Sequence, residues 1–269
     1  MGLLALLSPL VLASTAANSA SSCTEITGWE QILARDETRW IVIGETHGSN
    51  EVPELFTDAV CLTAQSRRVV VGVEQPVMNQ EAIDAFLASD GEEAAQRAFL
   101  DATMWNQPMK DGRSSESMFR LFEKLRQMKA AGIIEDVVAF QPTAFTSRPT
   151  PAEVERAMAE ILLSAAGADE TVVALVGNVH AMRTEVPFQG GYMAMAANLP
   201  KAETITLNVI GSGGEYWNCM RDRCGAHPVP SPPQAFKRGV DLSPDDVDPY
   251  SGVIYLGVPT TASPPQGRP

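Results

Sequence analysis

What most limits the folds open to this chain is a set of six short, mostly apolar runs, rich in β-branched residues, that recur along it. They occupy residues 40–43, 69–73, 137–140, 171–176, 205–210 and 253–256. A strand with one wet face alternates apolar and polar residues. A run apolar at consecutive positions must be covered on both faces, the condition of strands inside a parallel sheet. Stretches of helical period separate the runs. Residues 51–65 set Val52, Leu55, Phe56, Ala59, Val60 and Leu62 on one stripe, and residues 114–131 do the same with Met118, Leu121, Phe122, Leu125 and Met128. Ser114 or Ser115 serves the latter as N-cap and Gly132 as its stop. Residues 80–88 and 92–102 form a further helical pair, and residues 151–166 open on Thr150 as cap with Pro151 in the first turn. Strand alternating with helix specifies an α/β fold, a mostly parallel sheet with helices on both faces. From Ser212 glycines and prolines break the pattern, so an irregular C-terminal excursion is expected before the last strand.

The 45% hydrophobic and 20% charged residues among 269 support one α/β domain, placed at residues 21–260, with a disordered tail at 261–269. A formal net charge of -13 repels phosphate backbones and anionic headgroups, so no nucleic-acid partner is expected. With aromatics at only 6%, an aromatic-lined groove for carbohydrate or single strands is excluded too. Residues 1–20 read as a secretory signal: an apolar run at 3–13, broken only by Ser8 and Pro9, then small residues with cleavage near Ala17 or Ala20. No Lys or Arg precedes that run, which departs from the usual signal. The run is too short to cross a bilayer core of about 30 Å as a helix, so no integral span is expected. An exported chain, periplasmic or extracellular, makes disulfides of its four cysteines. Cys219 and Cys224 flank a short polar loop and pair locally, leaving Cys23 to clip the mature N-terminus to the helix carrying Cys61. Cys219, Cys224 and His227 lack a fourth ligand at any usual zinc spacing.

Chemistry concentrates at strand ends. Gly44-Glu45-Thr46-His47 closes the first run and Gly177-Asn178-Val179-His180 the fourth, so two of the chain's three histidines follow a glycine by three residues. In an open parallel sheet the carboxyl ends of the strands form the ligand crevice. The glycine is read as permitting a sharp turn that points the imidazole back over the sheet edge. Glu74 ends the second run at the same rim, where an unpartnered carboxylate is costly; its partner is a metal, a histidine or Arg113. Glu45 either takes part in the chemistry or caps the next helix. Asn178 either holds a substrate oxygen or caps. Arg113 either clamps an anion at the rim or pairs with Asp111 or Glu116, and Arg183 carries the same ambiguity. There is no Gly-x-Ser-x-Gly elbow, His-Glu-x-x-His, phosphate-binding Gly-x-x-x-x-Gly-Lys or dinucleotide glycine fingerprint.

The paired Gly-x-x-His motifs, with Glu74 ending the strand between them, resemble those of the superfamily joining the Tiki metalloproteases, the TraB proteins, the ChaN-type haem-binding proteins and the erythromycin esterases. The string Gly-Glu-Thr-His-Gly-Ser-Asn-Glu at residues 44–51 also resembles the esterase opening. The Tiki resemblance implies that His47, Glu74 and His180 bind a divalent metal, for which Zn, Mn or Co suits the ligand types. The esterase resemblance implies instead that His47 and Glu74 activate water without metal. The ChaN resemblance implies haem on a tyrosine, but none of Tyr192, Tyr216, Tyr250 and Tyr255 matches that ligand. The expectation is an exported, metal-dependent hydrolase acting on an ester or amide bond of a small molecule or peptide. In it His47 is base or ligand, Glu74 orients it or completes the coordination, and His180 is second ligand or polarises the carbonyl. The rival expectation is a haem-binding uptake protein without turnover.

Overall fold

The sheet grows outward from the strand that carries the first histidine motif. In the computed structural model, which describes residues 23–188, 190–220, 223–245 and 247–267, a seven-stranded sheet is assembled in the order β10-β11-β7-β1-β4-β2-β3. In chain order the elements begin with α1 (Trp29–Leu33), β1 (Trp40–Glu45), α2 (Glu51–Ala64) and β2 (Arg68–Pro76). Next come α3 (Gln80–Leu87), α4 (Glu93–Leu100), α5 (Glu116–Ala130), β3 (Asp136–Gln141) and α6 (Pro151–Ala165). They continue with β4 (Glu170–Gly177), the short pair β5 (Glu185–Val186) and β6 (Tyr192–Met193), and β7 (Thr204–Ile210). The chain closes with β8 (Gly214–Met220), β9 (Arg223–Val229), β10 (Gly239–Leu242) and β11 (Gly252–Tyr255). Every pairing in the large sheet is parallel except β10 with β11. The expected α/β class is the observed one.

Alternate residues of the apolar runs go to opposite faces. Ile41 and Ile43 of β1 pack with α2, α3, α4 and α5 in the larger core, while Trp40 and Val42 meet Met158, Ala159 and Leu162 of α6 in the smaller one. That two-sided burial is why most of the runs show no polar alternation, β7 with Thr206 and Asn208 being the exception. The helix ends obey the expected chemistry: the Ser115 side chain accepts from the Met118 amide at the start of α5, and Thr150 with Glu153 closes a capping box on α6.

The excursion after β7 contains regular structure that the sequence pattern did not announce. Strands β8 and β9 form a separate antiparallel pair in which Cys219 sits opposite Cys224 and is bonded to it; the second disulfide joins Cys23 to Cys61 on α2. Both are the expected pairings. The segment expected to be disordered from residue 261 is held instead. Ser263 is fully buried, its hydroxyl accepts from the Ser117 amide, and its own amide donates to the Gly48 carbonyl. Prolines there suppress helix and strand periodicity without preventing packing, which is why composition misled. The expected signal at 1–20 lies outside the described residues, among which no helix is long and apolar enough to cross a membrane.

Candidate active site

Register brings the two histidine motifs together. β1 and β4 are adjacent, with Gly44 opposite Val176 and Glu45 opposite Gly177. β2 flanks β4 on the other side, and a register shift between Val73 and Pro76 interrupts its pairing with β3 at Glu74. Such irregularities re-aim side chains at sheet rims. Neither motif glycine has a positive φ, but both allow close approach: a Cβ on Gly44 would stand 2.7 Å from the Ala181 Cβ, and one on Gly177 3.1 Å from His47 Nε2, while the Gly177 carbonyl also closes a turn on the His180 amide at 3.0 Å.

Around this rim five side chains form a chain of alternating acid and imidazole. Glu45 Oε1 lies 2.9 Å from His47 Nδ1, and His47 Nε2 lies 3.4 Å from Glu74 Oε2. Glu74 Oε1 is 3.9 Å from His180 Nε2, and His180 Nδ1 is 2.7 Å from Glu155 Oε1. The three carboxylates are buried, at 3%, 6% and 2% exposure for Glu45, Glu74 and Glu155. Glu74 is the hub. Its Oε2 accepts from the Gly177 amide at 2.6 Å and its Oε1 from Arg113 Nη1 at 2.9 Å. Arg113 in turn donates to Asp111, with Nη2 2.7 Å from Oδ2, and to Gln141 Oε1 at 3.2 Å. Arg113 thus reaches the rim, where it pairs with Glu74, and its other acidic partner is Asp111 rather than Glu116.

Burial alone would lower the His47 pKa. The Glu74 charge and the bonds to Glu45 and Glu74 outweigh it and push it up to about 10, so the ring is an imidazolium at neutral pH. Burial would likewise raise Glu74, but His47, Arg113 and His180 hold it well below the usual carboxylate range. For His180 the burial penalty is overcome chiefly by the Glu155 bond and the Glu74 charge, and its pKa also rises. Arg113 is held protonated by Glu74 and Asp111 against its own burial.

A cavity of about 330 Å³ opens over these groups, bounded by His47, Gly177, Asn178 and His180 on one side and by Met109, Asp111, Asn218 and Cys219 on the other. The β8–β9 pair forms its outer wall. It is seated by the Trp217 amide on the Gly48 carbonyl at 2.8 Å and by the Trp217 indole on the Lys110 carbonyl at 3.2 Å. Gly48 makes that seat possible: its φ is 94°, and a Cβ there would lie 1.9 Å from the Trp217 oxygen.

Of the residues singled out from the sequence, His47, Glu74, His180, Glu45, Arg113 and Asn178 meet at this rim. Glu45 binds His47, while Ser49 accepts from the Val52 amide at the start of α2. Arg183 does not join them. Its guanidinium donates to the backbone carbonyls of Asp248, at 2.8 Å, and Asp245. Glu155 was missed, although its sequence position carried a signal. It is a carboxylate on the apolar stripe of α6, beside Met158 and Ala159, and an acid there needs a buried partner.

The donors do not form a metal cage. Both Glu74 oxygens are already occupied by hydrogen-bond donors, and the Arg113 guanidinium holds the position a cation would take. Both Nδ1 atoms face carboxylates, and no group of three or more His, Cys, Asp or Glu among the described residues could hold a metal ion. The haem reading finds no better support in the tyrosine at the rim, since the Tyr250 hydroxyl is engaged with the Asn178 carbonyl at 3.0 Å.

No described protein family matches the sequence, and no curated protein does. Solved structures do share its shape. A succinoglycan biosynthesis protein superposes with a TM-score of 0.63 at 9% identity, over 87% of this chain and 91% of its own. A mutant of the erythromycin esterase EreC in its open conformation gives 0.58 at 10% identity, over 88% of this chain and 94% of its own. The fold resembles that of an erythromycin esterase. A bacterial protein toxin matches at 19% identity with a TM-score of 0.47, and there the chain spans only 37% of the other's length. These identities speak for the fold alone.

Proposed function

We propose that the chain is an exported hydrolase that cleaves an ester or amide bond by acid–base catalysis from its own side chains. The observation that carries this is the pair of carboxylate–imidazole dyads, Glu45–His47 and Glu155–His180, whose Nε2 atoms both face the rim around Glu74. The two imidazoles are not equivalent. His47 has a carboxylate on each nitrogen and holds its proton to about pH 10, which suits a donor. His180 has Nδ1 fixed by Glu155, itself held by the Met195 amide at 2.7 Å, while Nε2 lies beyond hydrogen-bond distance of Glu74. That nitrogen is free to take a proton from water.

In the reaction water attacks the carbonyl carbon and gives its proton to His180 Nε2. The oxyanion that forms is met by the proton on His47 Nε2. Collapse breaks the bond to the leaving group, which takes the proton back from His180, and the products are an acid and an alcohol or amine. These assignments differ from the ones expected from sequence, where His47 was base or metal ligand and His180 second ligand or the partner of the carbonyl. They also favour the metal-free form over the metal-dependent one, because the cationic place beside Glu74 belongs to Arg113. The fold likeness to an esterase and the two disulfides, which suit an oxidising compartment, support the reading.

The test is turnover of short p-nitrophenyl esters by the intact protein, with and without prior chelation. Activity is expected to survive chelation and to fall about 10²- to 10⁴-fold in His180→Ala. Activity that disappears with chelator and returns with zinc overturns the proposal.

A further inference from the structure

Arg113 also lines a second cavity, of about 280 Å³, which is joined to the catalytic one through Met109 and Asp111. Two carboxamides line that second cavity, Gln75 and Gln141, and Arg113 decides which end each of them presents. Gln75 Nε2 donates to the Arg113 carbonyl at 2.7 Å, so its oxygen is the end left for the cavity. Gln141 Oε1 accepts at 3.2 Å from Arg113 Nη1, the nitrogen that also bonds Glu74 at 2.9 Å, so its NH2 is the end left. Among the described residues no donor bonds Gln75 Oε1 and no acceptor takes the Gln141 amide hydrogens, yet neither atom is sealed from solvent. Gln75 is only 3% exposed, so what its oxygen meets is the cavity. The charged side chains in the wall, Asp111 and Arg113, answer each other at 2.7 Å, and a charged ligand gains little there. One fixed acceptor and one fixed donor in neutral surroundings are the complement of an amide, with its N–H and its C=O. Water serves both ends in the free protein, whereas an alkyl chain would displace that water and leave both unmet.

We propose that the second cavity is a subsite for an uncharged amide in the substrate, whose N–H donates to Gln75 Oε1 and whose C=O accepts from Gln141 Nε2, with the two glutamines as specificity-determining residues. The proposal rests on the hydrolytic reading above and deepens it: the preferred substrate is an ester or amide that carries a further neutral amide away from the scissile bond, as an acylated amino acid or a peptide does. Met109, which is 65% exposed and lines both cavities, is the ridge such a chain crosses.

The test follows acid release from esters that carry the amide on either side of the scissile bond, each beside its hydrocarbon counterpart of equal length. Methyl 4-acetamidobutanoate is compared with methyl heptanoate, and 4-acetamidobutyl acetate with heptyl acetate. For at least one pair the amide ester is expected to exceed the hydrocarbon in kcat/KM by about tenfold or more, the worth of two modest hydrogen bonds. On the acyl side the ketone methyl 6-oxoheptanoate, which keeps the C=O but lacks the N–H, should fall between the two. Gln75→Met and Gln141→Met should each cut the amide-to-hydrocarbon ratio several-fold, mostly through KM, and the hydrocarbon ester measured on the same variant corrects for any general loss of rate. A ratio near one for both pairs in the wild type, or a ratio unmoved in both variants, overturns the proposal. If none of the esters is cleaved, the hydrolytic reading fails. Recognition is then read from binding alone: N-butylacetamide should raise the Tm of the wild type more than 2-heptanone, which has CH2 in place of N–H, and equal responses overturn the proposal.

Discussion

Glu155 shows what a single buried carboxylate contributes to this site. It lies on α6, on the side of the sheet away from the larger core, and reaches the rim only because β4 ends in a tight turn that lowers His180 onto it. Its carboxylate fixes the tautomer of His180 and raises its pKa. The sign of the resulting pH dependence follows directly. The base works only when deprotonated, so kcat/KM rises with pH through a value above the ordinary 6.5 of histidine. The donor works only when protonated, so activity falls again near pH 10, where His47 gives up its proton. In Glu155→Gln the rate should drop about 10²- to 10⁴-fold, and the acidic limb should move to lower pH, because the charge that raised His180 is gone. A loss of rate with an unmoved acidic limb would mean that Glu155 only supports the fold. The pH–rate profile on a short chromogenic ester reads both.

At the scale of elements, the two disulfides hold different things. Cys23–Cys61 ties the start of the described chain to α2 across 38 residues, whereas Cys219–Cys224 clamps neighbouring strands five residues apart at the cavity wall. Chain entropy scales with the loop closed, giving roughly 4 kcal/mol for the long loop and about 2 kcal/mol for the short one. Replacing each pair by serine should therefore lower the denaturation midpoint more for Cys23/Cys61. The Cys219/Cys224 replacement should be the one that raises KM, since Cys219 lines the cavity beside Asn218. Urea denaturation with kinetics on the same samples separates the two, and a KM change confined to the Cys23/Cys61 replacement would contradict this division. The β8–β9 pair itself was hidden in the sequence. Its buried and half-buried residues follow no clean alternation, because it packs against the Gly48 loop and residue Thr260 rather than over a core. The helices of the sheet were legible because each lays one apolar stripe on a dry surface.

Over the whole molecule, the last described residues act as a strap across the carboxyl end of the sheet's strands. The Glu116 amide donates to the Pro264 carbonyl, the Gln266 amide to the Ser114 carbonyl, and the Ser117 amide to the Ser263 hydroxyl. Ser263 also reaches Gly48, the residue on which the β8–β9 wall is seated. A chain ending at Ala262 loses these four bonds, at about 1 kcal/mol each. It should unfold roughly 3–4 kcal/mol more easily while keeping its parallel sheet by circular dichroism. Because the strap anchors both α5 and the Gly48 loop, kcat/KM should fall as well. A truncated protein with unchanged stability would show that the strap contributes nothing.

The apolar runs and helical stripes determined the α/β class, the parallel strands, the helix caps and the meeting of His47, Glu74 and His180. Those features follow from periodicity and from which strand ends share an edge, and both are local to the sequence. Burial and register, which no local pattern encodes, decided the rest. The order of strands set β4 between β1 and β2, so Gly44 and Gly177 serve close approach across the rim. The folded rim put Arg113 on Glu74, one of the three partners expected for that carboxylate, and set an acid from α6 behind His180. Arg183 carried the same ambiguity as Arg113 in the sequence, and only the packing of the chain set it on the Asp245 and Asp248 carbonyls instead.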